Sequence, residues 1–160
     1  MCAARGPLLL TLGFFKQLEP LDKNQAERID KLLQETDQKY LELELAHTTY
    51  RFEDDGTLRV FITPFARDLS VLETGFWRNF DAIVRDQARA GAIRQQFSPY
   101  ANVFGRQQTE IIIRSTGTGF NWSVYTSNNM GGRTGTGPNS ATRLPKRLER
   151  FWEKLVLPEQ

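Results

Sequence analysis

The chain has 160 residues, of which 39% are hydrophobic, 25% charged and 11% aromatic. This composition indicates a globular domain with its own core and argues against a chain that is disordered throughout. The net charge is only +2, and the single cysteine and single histidine exclude an intrachain disulfide and a metal site made of several such ligands.

Charge is distributed unevenly along the chain. Residues 19–46 hold eight acidic and four basic side chains, a net charge of −4, whereas residues 85–154 hold eleven basic and four acidic ones, a net charge of +7. Two interpretations stay open: attraction between two halves of one fold, or a surface that binds an anionic partner.

The first 16 residues contain an apolar run at positions 7–15. The run is shorter than the roughly 20 residues that a membrane-spanning helix needs. Three interpretations stay open: a truncated signal or membrane anchor, a peripheral apolar segment, or a strand or helix that packs on the core. The first of these is favoured, and residues 17–160 are then expected to form a single α+β domain.

The first long helix is predicted over residues 22–46. Asp22 is a good N-cap, and Gln25 lies three positions later, where the two side chains can form a capping box. Apolar residues follow at helical spacings of three and four, including Ile29 and Leu33. The opposite face is predicted to be polar, with these members: Glu27, Arg28, Lys31, Glu35, Gln38 and Lys39.

The next elements alternate between strand and helix patterns. Alternating apolar residues on both sides of the D-D-G sequence at 54–56 predict a β-hairpin, because glycine supplies the positive φ that the turn requires. A second helix is then predicted from residue 66 or 68, with a stripe that includes Leu72 and Phe80. It continues to about residue 96, with a bend at Arg85 and Asp86.

The C-terminal part predicts a second hairpin, a loop and a short helix. The β-branched run at 110–114 and the aromatic alternation at 120–125 are joined by a glycine-containing connection. The polar, glycine-rich tract within 127–142 is predicted to be a flexible loop, and residues 144–155 a helix. The expected fold is α+β, with two long antiparallel helices on a small sheet of two hairpins, closed by the short C-terminal helix.

Few residues suggest chemistry. His47 is interpreted as a residue at the C-terminal end of the first helix, and Asp54 and Asp55 as a solvated turn. The glycine-rich tract lacks the G-K-[ST] of a phosphate-binding loop. No catalytic residue, metal site or cofactor is therefore predicted.

One candidate binding surface combines rings that could stack on bases with arginines that could hold phosphates. Alternating aromatic residues more often form the buried face of a small sheet, so nucleic acid is the less favoured partner. The members of this surface are Arg106, Arg114, Phe120, Trp122, Tyr125 and Arg133.

Two short phrases suggest a family. Leu21-Asp22-Lys23-Asn24-Gln25, the first phrase (residues 21–25), and Ile83-Val84-Arg85-Asp86-Gln87, the second phrase (residues 83–87), each place an aliphatic residue four positions before a glutamine. They resemble the L-T-x-x-Q signature of periplasmic stress-adaptor chaperones, whose all-helical, cradle-shaped dimers hold unfolded clients. The chain departs from that signature at the threonine position and in its β-rich part.

A second resemblance covers more of the chain. The order of elements and a set of aromatic and aliphatic residues are similar to uncharacterised envelope-facing C-terminal domains of planctomycete-type bacteria, which often follow a transmembrane helix. The matching residues are Phe76, Trp77, Phe80, Asp81, Ala82, Ile83, Phe104, Gly105, Glu110, Ile111, Trp122, Val124, Phe151 and Trp152.

Together these observations predict a non-enzymatic sensor or adaptor domain on the periplasmic side of the cell envelope. It would bind a protein partner through its helix surface or the glycine-rich loop, and the apolar N-terminus is compatible with a membrane tether. The alternatives are an anion- or nucleic-acid-binding module that uses the basic C-terminal half, and a hydrolase whose site the sequence does not reveal.

Overall fold

The computed structural model describes residues 21–96, 104–127 and 132–156. They form two compact units: one contains residues 21–43 and 67–96, and the other contains residues 44–66, 104–127 and 132–156. The chain enters the second unit at Glu44, returns to the first at residue 67 and re-enters the second after the helices. The expectation of a single domain over 17–160 stays a prediction, and the apolar segment 1–16 lies outside the described residues.

The first unit begins with helix α1, Lys23–Ala46, at the predicted position. The N–H of Gln25 donates to Oδ1 of Asp22 at 2.8 Å, and the N–H of Asp22 donates to Oε1 of Gln25 at 3.3 Å. These reciprocal bonds satisfy two main-chain donors that the first helical turn leaves unpaired. The predicted capping box is therefore confirmed.

The second predicted helix is interrupted at the predicted bend, giving α2, Ala66–Val84, and α3, Gln87–Gln96. Arg85 has a φ of 57°, a left-handed conformation that ends α2. Asp86 then caps α3, because its Oδ1 accepts the N–H of Arg89 at 3.0 Å. The two phrases thus have different roles: the first starts a helix, and the second spans the junction of two helices.

Helices α1 and α2 run antiparallel. Nε2 of Gln25, in the first phrase, donates to the carbonyl of Ile83, in the second, at 3.4 Å. Towards the C-terminal end of α1, Lys39 lies beside Val71, which is near the N-terminal end of α2. Ile29, Leu33 and Phe80 are buried as predicted, and Leu72 is half-buried. The two apolar stripes therefore cover each other, as the sequence predicts.

The second unit contains one antiparallel sheet whose order follows the chain. Its strands are β1, Thr48–Phe52, β2, Leu58–Ile62, β3, Gln108–Ser115, β4, Phe120–Ser127, and β5, Arg133–Ala141. Pairs β1–β2 and β3–β4 are the two predicted hairpins. The α+β class is confirmed, and β2 pairs with β3 to join the hairpins into one sheet.

Strand β5 corrects the prediction that residues 127–142 form a loop, because residues 133–141 pair with β4. The prediction considered side-chain burial, whereas the strand is held by main-chain pairing to β4. Gly135 also favours it: a Cβ at this position would collide with the Tyr125 ring and the Val124 carbonyl. A residue that seemed to mark a loop instead permits close approach of two strands.

One face of the sheet forms the core of the second unit. Strand alternation places on this face a fully buried set of aliphatic side chains: Leu58, Val60, Ile62, Ile111 and Ile113. Helix α4, Lys146–Val156, buries Leu148 and Phe151. Its Trp152 meets Phe120 edge to face, with ring centroids 5.2 Å apart, so the helix contacts the sheet at the start of β4.

A buried ion pair ties the end of α1 to α4 within the second unit. The Glu44 carboxylate is fully buried, and Arg150 donates to it while its side chain is 15% exposed. The same arginine lies over the Phe151 ring at 4.8 Å. A charge removed from water in this way is tolerated only beside a partner of opposite sign.

We predict that Arg150→Met lowers the free energy of unfolding by about 3–5 kcal/mol, because the buried Glu44 carboxylate loses its cation. The double variant Glu44→Met/Arg150→Met should regain much of that loss. Urea denaturation of both proteins checks this. The matched control is Arg114→Met, which breaks an exposed pair with Asp55 at 3.8 Å and should cost less than about 1 kcal/mol. Equal losses at positions 114 and 150 would contradict the prediction.

Gly105 supports the segment that precedes α2. Its φ is +97°, its carbonyl accepts the N–H of Phe65 at 2.9 Å, and a Cβ there would collide with the buried Phe65 ring. Gly117 has a φ of +79° but open space around it.

We therefore predict that Gly105→Ala destabilises the protein more than Gly117→Ala does. Both variants bear the cost of a left-handed conformation, about 1–2 kcal/mol, but only the first also displaces a buried ring. Thermal or urea unfolding of the two variants gives the difference. If Gly117→Ala were the more damaging change, the contact with Phe65 would not be what requires glycine at 105.

Candidate functional site

The structure divides the predicted aromatic and arginine surface between the two faces of the sheet. Phe120 and Trp122 lie on the face that carries Ile113, because Trp122 pairs with Ile113 and alternate residues share a face. Tyr125 and Arg114 lie on the opposite face by the same rule. The set is therefore not brought together as one stacking site.

The remaining members of that surface lie at the margins of the sheet. Arg106 is exposed in the segment before β3, and Arg133 is the first residue of β5, opposite Ser127. Phe120 and Trp122 are half-buried, and Phe120 contacts α4 through Trp152. The rings therefore contribute to packing, which is the interpretation that the sequence favours.

The face that carries Tyr125 holds a network of opposite charges. Arg59 donates to Glu53 at 2.5 Å and to Glu110 at 2.8 Å, and these hydrogen bonds, Glu53 first, raise the pKa of Arg59 further above its usual value. Neighbouring Arg51 lies 5.6 Å from the Phe61 ring centroid. Among the described side chains of this face, Arg51 and Arg59 thus lie beside carboxylates and present no excess of positive charge to a polyanion.

In the turn at residues 54–56, the carboxylate of Asp55 accepts hydrogen bonds from Thr57. The hydroxyl and the N–H of Thr57 lower the pKa of Asp55, with a smaller contribution from Arg114. The N–H bond measures 3.0 Å, which is an Asx-type turn geometry. The interpretation of Asp54 and Asp55 as a solvated turn agrees with these bonds and with the exposure of both residues.

His47 directly follows α1 and belongs to the second unit. Its ring stacks on Phe65 with centroids 5.0 Å apart, and its carbonyl accepts the N–H of Thr63 at 3.0 Å. These contacts indicate that His47 packs against Phe65 where the chain enters the sheet. Within the described ranges, no group of three or more His, Cys, Asp or Glu side chains is arranged to hold a metal ion.

An open groove runs between α1 and α2 in the first unit. It consists of two adjoining depressions of about 350 and 260 Å³ that share Leu32, Glu35 and Asn79. Buried and half-buried apolar side chains line its floor, namely Leu32, Leu72, Phe76 and Ile83. Val71 lies at the rim and is 69% exposed. We refer to this feature as the α1–α2 groove.

The rim of the α1–α2 groove is basic. Four cationic side chains line it against one carboxylate, Glu35: Arg28, Lys31, Lys39 and Arg78. Lys31 lies 3.7 Å from Glu35, with both side chains largely exposed. Such a pair is weak because water screens it. The groove therefore presents an excess of positive charge above an apolar floor.

Sequence reasoning missed this groove because it averaged charge over residues 19–46. That stretch is acidic as a whole, yet three of its four basic side chains line the groove. The signal was helical spacing: positions 28, 32, 35 and 39 recur at intervals of three and four and so share one face. The predicted polar face is thus partly the border of a groove.

Comparison with known proteins identifies no related family. Protein-family models, curated proteins and solved structures give no match to the chain. In the described part of the chain, no helix has both the length and the hydrophobicity to cross a membrane.

Proposed function

We propose that the protein is a non-enzymatic binding module whose α1–α2 groove holds an acidic, amphipathic segment of a protein partner. The observation that carries the proposal is an open, apolar-floored groove with a basic rim between two antiparallel helices. A helix laid into such a groove buries its apolar stripe against the floor, which is a common mode of peptide recognition.

The dimensions of the groove favour a peptide over a small molecule. The lining residues extend along α1 from Arg28 to Lys39, a distance of roughly 17 Å at about 1.5 Å per residue. This corresponds to about three turns of a docked helix. Small-molecule sites usually enclose most of their ligand, whereas this groove is open along its length.

Charge determines the kind of peptide. Arg28, Lys39 and Arg78 form no ion pair with any residue that the structure describes, so their charges are available to a partner. Acidic side chains along the edges of a docked helix would meet them, which favours encounter and discriminates against basic segments. The groove thus supports the sensor or adaptor function that the sequence predicts.

An envelope location facing the periplasm is part of the proposal, and the resemblance of the two phrases to periplasmic stress adaptors supports it. Fractionation of cells that produce the tagged full-length chain should find the protein in the envelope or periplasmic fraction. Recovery in the cytoplasmic fraction alone would contradict the location without affecting the groove.

The groove is tested with a synthetic amphipathic helical peptide that carries leucines on one stripe and glutamates elsewhere. Titration of the labelled protein should shift the NMR signals of groove residues, and Arg28→Glu/Arg78→Glu should weaken binding about tenfold because two attractions become repulsions. Lys23→Glu is the matched control, since this exposed lysine lies on α1 outside the groove lining. Equal binding of a lysine-for-glutamate peptide would refute the proposal.

Gly75→Ala separates an effect on the groove from an effect on folding. Gly75 lies within α2 and lines the groove, with no atom within 4 Å of the position that a Cβ would take. Alanine should stabilise the helix by about 0.5–1 kcal/mol and at the same time reduce peptide affinity, because its methyl group occupies the groove. Unchanged affinity in the stabilised variant would place the peptide elsewhere.

A further inference from the structure

Among the residues that the structure describes, strand β1 forms one edge of the sheet in the second unit, with β2 as its one neighbouring strand. The N–H of Glu53 donates to the carbonyl of Thr57 at 2.9 Å, which fixes where hydrogen-bonded pairs occur between β1 and β2. Because such pairs alternate along antiparallel strands, every second residue of β1 directs its main-chain groups away from β2. These residues are Thr48, Tyr50 and Phe52.

The same edge exposes two large aromatic side chains. Tyr50 is 50% exposed and Phe52 is 47% exposed, although both lie on the face that carries the buried Leu58 and Val60. Their rings meet at 81° with centroids 6.0 Å apart. A further strand beside β1 would extend the buried face and cover the outer side of both rings.

The two outer strands of the described sheet, β1 and β5, differ in how well they are protected against pairing with a further strand. Strand β5 carries Pro138 and two glycines, which weaken pairing with another strand. Strand β1 has neither residue type. Its one charged residue, Arg51, lies on the opposite face, over Phe61. Of the two edges, only β1 is therefore suited to accept a strand.

We propose that β1 pairs with β1 of a second copy of this chain, antiparallel about a two-fold axis at Tyr50. Tyr50 then lies opposite the second copy's Tyr50, and Thr48 lies opposite the second copy's Phe52. Since all of these residues point their main-chain groups outward, the pairing forms about six main-chain hydrogen bonds. The result is one continuous ten-stranded sheet, made from two five-stranded sheets.

The sequence of β1 suits this occupant. In the two-fold register Arg51 lies directly opposite the second copy's Thr49, so no two like charges form a directly opposed pair. The aromatic rings of both copies form one row on the core side of the sheet, where diagonal neighbours are within reach of each other.

A five-residue strand makes a small contact, so the dimer is reversible and its population rises with concentration. The proposal is independent of the α1–α2 groove, because β1 belongs to the other unit.

Sedimentation velocity of the full chain over a range of concentrations tests the proposal. The wild-type protein and Tyr50→Phe should shift from monomer to dimer as concentration rises. Tyr50→Pro should stay monomeric, because proline removes an outward N–H without removing a bond to β2. A wild-type protein that is monomeric throughout, or a folded Tyr50→Pro that still dimerises, would overturn the proposal.

Cross-linking provides a second readout that does not depend on proline being tolerated in β1. In a Cys2→Ser background, Tyr50→Cys places two thiols across the axis at about 5.5 Å between Cα atoms, within the range of a disulfide. Oxidation should join the copies about tenfold faster than in Cys2→Ser/Thr118→Cys, whose thiol lies in the exposed β3–β4 turn. Equal rates at the two positions would also overturn the proposal.

Discussion

The first unit depends on one constraint: α1 and α2 each have a single apolar stripe, and each stripe must be covered. Antiparallel packing buries Ile29, Leu33 and Phe80 between them, but Leu72 remains only half-buried. Two cylinders that meet along one line leave a channel on either side of it, and here one channel retains apolar side chains. The α1–α2 groove is therefore a consequence of how the helices cover each other.

Charge is organised on the scale of a helix face and not of a sequence segment. The acidic stretch at 19–46 contributes Arg28, Lys31 and Lys39 to a basic rim, while the basic C-terminal half places Arg114 and Arg150 beside carboxylates. The first of the two interpretations of charge thus describes part of the second unit, where opposite charges pair. The basic rim of the α1–α2 groove instead comes from residues outside the basic stretch 85–154, which net charge along the chain did not indicate.

The helices and hairpins were predictable because each has a strong local signal. The capping box at Asp22, the alternation on either side of Gly56 and the bend at Arg85 all depend on residues close in sequence. Strand β5 was not predictable, because its pairing uses main-chain groups and a close approach that Gly135 allows. The groove was missed for a related reason: its lining comes from two helices whose relative register the sequence does not specify. Helical spacing showed which α1 residues share a face but not that α2 would border them.

The order of the strands also determines how the sheet can assemble in time. Pairs β1–β2, β3–β4 and β4–β5 each join neighbours in sequence and close short loops, so they form early at small entropic cost. The pairing of β2 with β3 instead closes a connection that contains α2 and α3. That one long-range closure is expected to limit the folding rate. The hairpin β1–β2 and the three-stranded piece β3–β4–β5 can form first, but they can pair only when the connection that contains α2 and α3 brings them together.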